Sequence, residues 1–327
     1  MKLDLATPIV AAGEDGVAKA VKCLRDGGLV AFPTETVYGL GCDAGNAAAI
    51  ARLYQAKGRP SFNPLIAHVA DLAAAERIGR FDGDARRLAA SFWPGPLTLV
   101  VPKAEHCPVA DLATAGLDTV AIRVPLHPVA QAILRGFGGA VVAPSANRSG
   151  HVSPTTAAHV HVDLDGRIQL IVNGGPVSVG VESTIVACFD QPVLLRPGGL
   201  PREKIEAVLG RALAQPVAAD PTRPLAPGML ASHYAPRTKV RLEATHVEPG
   251  EALLAFGAAA LPGVDATTVV MNLSEQGDLA EAAANLFGYL RALDAKGASG
   301  IAVMPVPRHG LGEAINDRLR RAALPRE

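Results

Sequence analysis

Apolar positions recur with two periods along this 327-residue chain, and their alternation predicts an α/β architecture. Val17, Ala20, Val21 and Leu24 repeat at helical spacing before Gly27-Gly28 stops the helix. LVAFPT then reads as a short apolar strand. Asn46 is suited to cap a second helix with Ile50, Leu53 and Tyr54 on one face, ended by Gly58 and Pro60. LIAHVA, LTLVVP, VAIRVP, AVVAP, IQLIV, STIVACF and VLLRP are further predicted strands, with helical stretches near 71–79, 82–91, 127–135 and 154–162. Some strands follow each other too closely for helical crossovers, so the sheet is predicted to be large and mixed.

The texture changes after a predicted helix near 202–213. Residues 215–237 hold five prolines and no periodicity, which reads as a semi-rigid extended linker able to lie over a pocket. Beyond it KVRLE, ALLAFG, TTVVMN and IAVMPV are strand candidates, and Leu279, Ala283, Leu286, Leu290 and Leu293 mark one face of a long helix. The predicted organisation is an α/β catalytic domain over 1–213, a proline-rich linker or lid over 214–237, and a small open α/β sandwich, Rossmann-like, over 238–327.

Composition narrows the function. Apolar residues make up 49% and charged residues 19%, enough for a sizeable core. Lys plus Arg and Asp plus Glu are each 31, so bulk attraction to nucleic acid or an anionic membrane is not expected, although a local basic patch is allowed. No apolar run reaches the roughly 20 residues of a membrane span. The acidic start lacks a signal-peptide core, and none of the four cysteines forms a CxxC pair, so a cytoplasmic protein with reduced thiols is expected.

Several familiar motifs are absent or incomplete. No GxxxxGK[ST] loop or GxSxG elbow occurs. Gly39 to Ala44 fits GxGxxA, but residues 44–70 hold no acid for a ribose, so a glycine-rich turn is expected there. His159, His161 and Asp163 fit HxHxD, yet Ser153-Pro154 predicts a helix start that would splay them on a helix. No metal site is expected.

What remains is a set of polar residues at strand ends. Thr34, Glu35 and Thr36 follow LVAFP, Ser145 and Asn147 follow VVAP, and Arg196 closes VLLRP. Such ends often converge on one crevice. Arg123 sits inside an apolar strand, which is costly unless it faces an anion or a carboxylate. Lys57 and Arg59 add two cations past a helix end, and Ser153 and Ser183 add hydroxyls. Without a nucleophile–base pair, this constellation suits phosphate chemistry done by positioning and charge neutralisation.

FPTETVYGLG at 32–41, Lys57-x-Arg59, NPLIAHV at 63–69, SFWPGPLTLV at 91–100, VAIRVP at 120–125, PSANRSG at 144–150, SPTTA at 153–157, VESTIV at 181–186 and LLRPGG at 194–199 occur in order, followed by PGMLASHYAP at 227–236. In these motifs the chain resembles the YrdC family, in its long two-domain form. The resemblance implies a twisted mixed sheet around a basic concave face, and an enzyme of the nucleotidyltransferase class. It would make threonylcarbamoyl-adenylate from L-threonine, bicarbonate and ATP for tRNA modification. It implies threonine contacts at Thr36, His68, Arg123, Ala143 and Ser183. It implies ATP contacts at Lys57, Arg59, Asn63, Thr119, Ser145, Asn147, Ser153, Arg196 and Tyr234, with Lys57 and Arg59 carrying the catalytic charge. Mg2+ would bind mainly through the ATP phosphates, and the product would pass to a tRNA threonylcarbamoyl transferase complex. Relatives commonly carry a basic residue soon after PGM; here Leu230-Ala231-Ser232 intervene before His233. The competing reading is an RNA-binding module of the same fold without synthase activity, for which weak RNA binding would be the sign.

Overall fold

The computed structural model describes residues 6–189, 191–215 and 234–324. Most of the linker, including Met229 and His233, therefore lies outside the described residues. In chain order the first part comprises β1 (Ile9–Ala11), α1 (Glu14–Arg25), β2 (Val30–Pro33), β3 (Tyr38–Asp43), α2 (Ala47–Lys57), β4 (Ile66–His68), α3 (Leu72–Glu76), α4 (Gly83–Phe92), β5 (Leu97–Pro102), α5 (Asp111–Thr114), β6 (Thr119–Arg123), α6 (Pro128–Phe137), β7 (Val141–Val142), α7 (Ala157–Leu164), β8 (Leu170–Asn173), β9 (Thr184–Cys188), β10 (Pro192–Arg196) and α8 (Arg202–Leu209). The C-terminal part comprises β11 (Val240–Arg241), β12 (Glu251–Ala255), β13 (Val270–Asn272), α9 (Leu279–Asp294), β14 (Gly300–Val303) and α10 (Leu311–Ala322).

Ten strands join one mixed sheet in the order β1-β8-β2-β3-β7-β4-β6-β5-β9-β10. The second sheet, β11-β14-β12-β13, pairs in parallel throughout. Alternation along the strands splits the large sheet's side chains between its faces. One face packs Ala31, Leu40, Leu99 and Ile122 against α2, α4, α7 and α8. On the other, Val30, Phe32 and Val141 meet α1 and α6. Those two helices cover only part of that face. Over β4, β6, β5, β9 and β10 it carries a separate small cluster around Ile66, Val100, Ala121, Ile185 and Leu195, and none of its described members is helical. This stretch, which no described helix covers, is where the site forms.

The local signals for α2 hold: Asn46 accepts from Ala49 N–H at 3.0 Å, and Gly58 closes the helix in the left-handed region at φ 62°. Three expectations need correction. Gly39 to Ala44 is no turn, because Tyr38–Asp43 forms β3 in the middle of the sheet. Its glycines make room for neighbours: a Cβ on Gly41 would stand 2.6 Å from the Phe32 ring. The helix expected from Ser153-Pro154 starts later, with Thr156 as the cap that accepts from His159 N–H. Finally β1, α5 and α10 have no counterpart in the predicted elements.

Candidate functional site

Strand register assembles the site. His68 on β4 pairs with Arg123 on β6, and Arg123 pairs with Thr98 on β5. Thr98 pairs in turn with Ile185 on β9. Paired residues share a face, so these side chains form one row across the uncovered part of the sheet, directly beyond the apolar row of Ile66, Ala121 and Val100. Ser183 precedes β9 and its hydroxyl lies 2.7 Å from that of Thr98. A register shift between Leu194 and Arg196 bends the end of β10 and brings Arg196 to the same cavity.

Loops close the ring. The turn between β2 and β3 is tied by Thr34, whose hydroxyl donates to Val37 O at 2.7 Å and lies 2.8 Å from the Thr36 hydroxyl. Ala143 N–H donates to Ile66 O at 3.1 Å and leads into Pro144-Ser145. The result is a small cavity of about 50 Å3, lined among others by Thr36, Arg59, His68, Arg123, Ala143, Ser145, Glu182, Ser183, Arg196 and Tyr234.

Arg123 is held from two sides. Its Nε donates to Gly95 O at 3.3 Å and its Nη2 stands 2.8 Å from Glu35 Oε1. Burial pushes the Glu35 carboxyl up, but the Arg123 charge and its hydrogen bonds win and hold it below its usual range. Burial, with Arg123 adding to it, drops His68 to about 3, so its imidazole is neutral. Arg59 and Arg196 are each lowered to about 10, chiefly by burial, and remain charged at neutral pH. Arg196 also donates to Ser183 O from Nε and Nη2, at 3.2 and 2.9 Å.

The remaining predicted positions stand around this cavity rather than on its wall. Lys57 is buried, and its ammonium donates to the carbonyls of Ser145 and Asn147. Burial, then the Arg59 charge, holds Lys57 well below the ordinary lysine range. It therefore pins the turn that presents Ser145. Asn63 and Asn147 are also buried, each with a side-chain oxygen that has no hydrogen-bond partner among the described residues. Ser153 is fully buried and donates to Glu182 Oε1 at 2.5 Å. Thr119 begins β6 and so lies roughly 13 Å along the strand from Arg123.

Three groups were not among the predicted contacts. Glu35 is the partner of Arg123. Glu182, inside VESTIV, lies in the cavity. Arg318, on α10, gives its Nε to Glu182 Oε2 at 2.8 Å. Among the described residues, no group of three or more His, Cys, Asp or Glu side chains is placed to hold a metal ion. The HxHxD stretch instead joins the two parts of the chain: Asp163 takes Arg291 Nη2 at 2.7 Å and His151 Nδ1 at 3.2 Å. No described helix is long and apolar enough to cross a membrane.

Residues 22–198 match the profile of the Sua5–YciO–YrdC family, described as "Telomere recombination", and residues 200–324 match "Threonylcarbamoyl-AMP synthase, C-terminal domain". The chain is 43% identical to the threonylcarbamoyl-AMP synthase of Bacillus subtilis, over 94% of this chain and 92% of that one. It is equally identical to the threonylcarbamoyl-AMP synthase of Pyrococcus abyssi, over 92% of each. The crystal structure of P. abyssi Sua5 complexed with L-threonine superimposes with a TM-score of 0.87 at 38% identity, over 97% of this chain and 98% of that one.

Proposed function

From the premise that the chain belongs to the Sua5–YciO–YrdC family, in its long form with the threonylcarbamoyl-AMP synthase C-terminal domain, we propose that it converts L-threonine, bicarbonate and ATP into threonylcarbamoyl-adenylate and pyrophosphate for tRNA modification. The observation that carries this reading is the convergence of Arg123, Arg59 and Arg196 on one small cavity, with Thr36, His68 and Ser183 between them. That is a site for a small zwitterion beside a polyanion.

Threonine is placed with its carboxylate on Arg123, whose planar fork suits bidentate pairing. Thr36, His68, Ala143 and Ser183 shape the pocket around its side chain and amine. A neutral His68 leaves the amine no adjacent imidazolium charge to resist. Arg59, Arg196, Ser145 and Tyr234 face the nucleotide, while Lys57 and Asn147 hold the turn behind them and Asn63 supports Arg59 through its carbonyl. Thr119, at the far end of β6, and Ser153, engaged by Glu182, stay outside the proposed contacts.

The amine nitrogen bonds to the carbon of bicarbonate, and water leaves to give the carbamate. A carbamate oxygen then attacks the α-phosphorus, and the bond to the pyrophosphate oxygen breaks. This makes the enzyme a nucleotidyltransferase that works through positioning and charge neutralisation. Glu35 and Glu182 are both engaged by arginines, a donor set that fits Mg2+ held by the ATP phosphates rather than by a side-chain cage. When bound, the ion offsets phosphate charge. The adenylate is labile and passes to a separate transferase complex acting on tRNA. The proposed division is a catalytic domain over 1–213, a linker over 214–237 and a C-terminal domain over 238–327.

The test is pyrophosphate release with each substrate omitted in turn. All three substrates are expected to be required, with Arg123→Ala raising the threonine KM and Arg59→Ala the ATP KM. Losing one partner of a desolvated charge pair costs about 2–5 kcal/mol, so each effect should exceed roughly tenfold. Turnover without any amino acid would reject the assignment.

A further inference from the structure

Glu182 poses a problem for a phosphate site. It is a carboxylate in the same cavity as Arg59 and Arg196. Burial pushes its pKa up, but Arg318, then Arg196, and the hydrogen bonds from Ser153 and Arg318 hold it at about 2, so it is charged. Left alone it would repel the phosphates and draw the cavity's arginines to itself.

Its counter-charge arrives from the C-terminal part. Arg318 on α10 is completely buried and stands 136 residues further along the chain. It donates from Nε to Glu182 Oε2 at 2.8 Å and from Nη1 to Asp317 Oδ2 at 2.5 Å. Its guanidinium lies 5.3 Å from the centre of the Tyr234 ring, which stacks on Phe287 of α9 at 5.4 Å. Both oxygens of Glu182 are thereby engaged, Oε1 by Ser153 and Oε2 by Arg318.

A simple staple between the two parts does not need this arrangement. Ile315, Leu319 and Ala322 already bury the apolar face of α10. Desolvating an ion pair gains little over apolar contacts of the same size. The Nη2 of Arg318 is buried with no hydrogen-bond partner among the described residues, which adds a further cost.

We propose that Arg318 is a positioning residue for ATP: by fixing and neutralising Glu182, it keeps that carboxylate from competing with phosphate for Arg59 and Arg196. The C-terminal unit then completes the electrostatics of the nucleotide site without touching the reacting atoms. This rests on the adenylate-forming reading above. The threonine side of the cavity, built on Arg123 and Glu35, does not depend on Arg318.

The experiment is steady-state kinetics on the full chain carrying Arg318→Met, Glu182→Gln or both, with threonine binding measured by calorimetry as the check on folding. Arg318→Met should raise the ATP KM by about tenfold or more, as when one partner of a buried charge pair is removed, and leave threonine affinity nearly unchanged. Glu182→Gln alone should raise the ATP KM by less than about tenfold, since it removes the competing charge while Asp317 still pairs with Arg318. The double variant should recover most of what Arg318→Met loses. An unchanged ATP KM in Arg318→Met overturns the proposal, and so does a double variant no better than the single one. If Arg318→Met loses threonine binding through misfolding, Glu182→Gln decides alone, and a tenfold or larger rise in its ATP KM is the overturning result. A parent chain with no threonine-dependent pyrophosphate release rejects the reaction itself.

Discussion

His68 is held neutral by its surroundings, and that choice has a measurable cost in acid. Its Nδ1 lies 3.1 Å from Ile66 O, and burial with the nearby Arg123 charge lowers its pKa from 6.5 to about 3. Between those values the unfolded chain takes up a proton that the folded chain refuses. Stability is therefore intact above about pH 6.5 and falls as pH drops toward about 3. At about pH 5 this one residue should cost roughly 2 kcal/mol. Urea unfolding of the parent and of His68→Gln at neutral and mildly acidic pH measures it. The variant should lose about 2 kcal/mol less on acidification. Equal losses would show that His68 is not the titrating group. At this scale the site's cations were legible in the sequence. Arg123 and Arg196 stand out because a cation in an apolar strand needs an anion nearby. Glu35 and Glu182 were not legible as partners, because pairing across loops and sheets leaves no trace in local sequence.

Elements show the same division. Helices with strong caps and a wide apolar stripe, such as α2 and α9, were read from spacing alone. The last helix was not, for a physical reason: its buried face carries Asp317 and Arg318 beside Ile315 and Leu319. Leu311, Ile315 and Leu319 keep the helical period, but two charges interleaved on the same buried side thin the apolar stripe on which the reading depends. β3 was hidden in a different way, since Gly39 and Gly41 look like turn residues until Ala143 is seen filling the space at Gly39, and Phe32 and Val141 that at Gly41. Gly180 is a third case, and it joins two elements. Its φ is +81°, and a Cβ there would lie 2.2 Å from Ala283 O and 2.4 Å from Ala284 Cα, both in the backbone of α9. Rigid helix backbone cannot yield as a side chain could. Gly180→Ala is expected to cost about 2 kcal/mol or more, combining left-handed strain with displacement of α9. Gly210→Ala is the control: its φ is +71°, but no described residue lies within 4 Å of its Cβ position, so only strain of about 1 kcal/mol applies. Thermal unfolding should rank the two clearly; equal shifts would mean that the approach of α9 is not limiting.

Across the whole molecule, the two sheets are joined by one shared core as well as by charges. Val37, Val152 and Val181 from the first part pack with Leu286, Phe287 and Ile315 from the second. Arg291 reaches Asp163, and Arg318 reaches Glu182. Tyr234, at the near end of the linker, is buried at φ 64° between them. The cavity it helps to line, about 50 Å3, is far below the roughly 300–1,000 Å3 usual for ligand pockets. On the proposed reading, ATP relies on Tyr234 and the charges of the C-terminal part, whereas threonine relies on Arg123, His68 and Thr36 of the first part. A chain ending after Leu213 separates the two requirements. It loses Tyr234, Arg291 and Arg318 together, and it exposes three valines while leaving two carboxylates without their arginines. The expected outcome is a folded but less stable first unit, because its own main core and sheet remain whole. Threonine binding should survive with only modest weakening, since Arg123, His68 and Thr36 are untouched. Threonine-dependent pyrophosphate release should fall by about 100-fold or more, because the electrostatic partner of Glu182 and the Tyr234 wall are lost at once. Calorimetry with threonine and the release assay, run on the same preparation, read both. Full activity in the shortened chain would reduce the C-terminal unit to a tether; loss of threonine binding alongside activity would mean instead that the first sheet cannot hold its site alone.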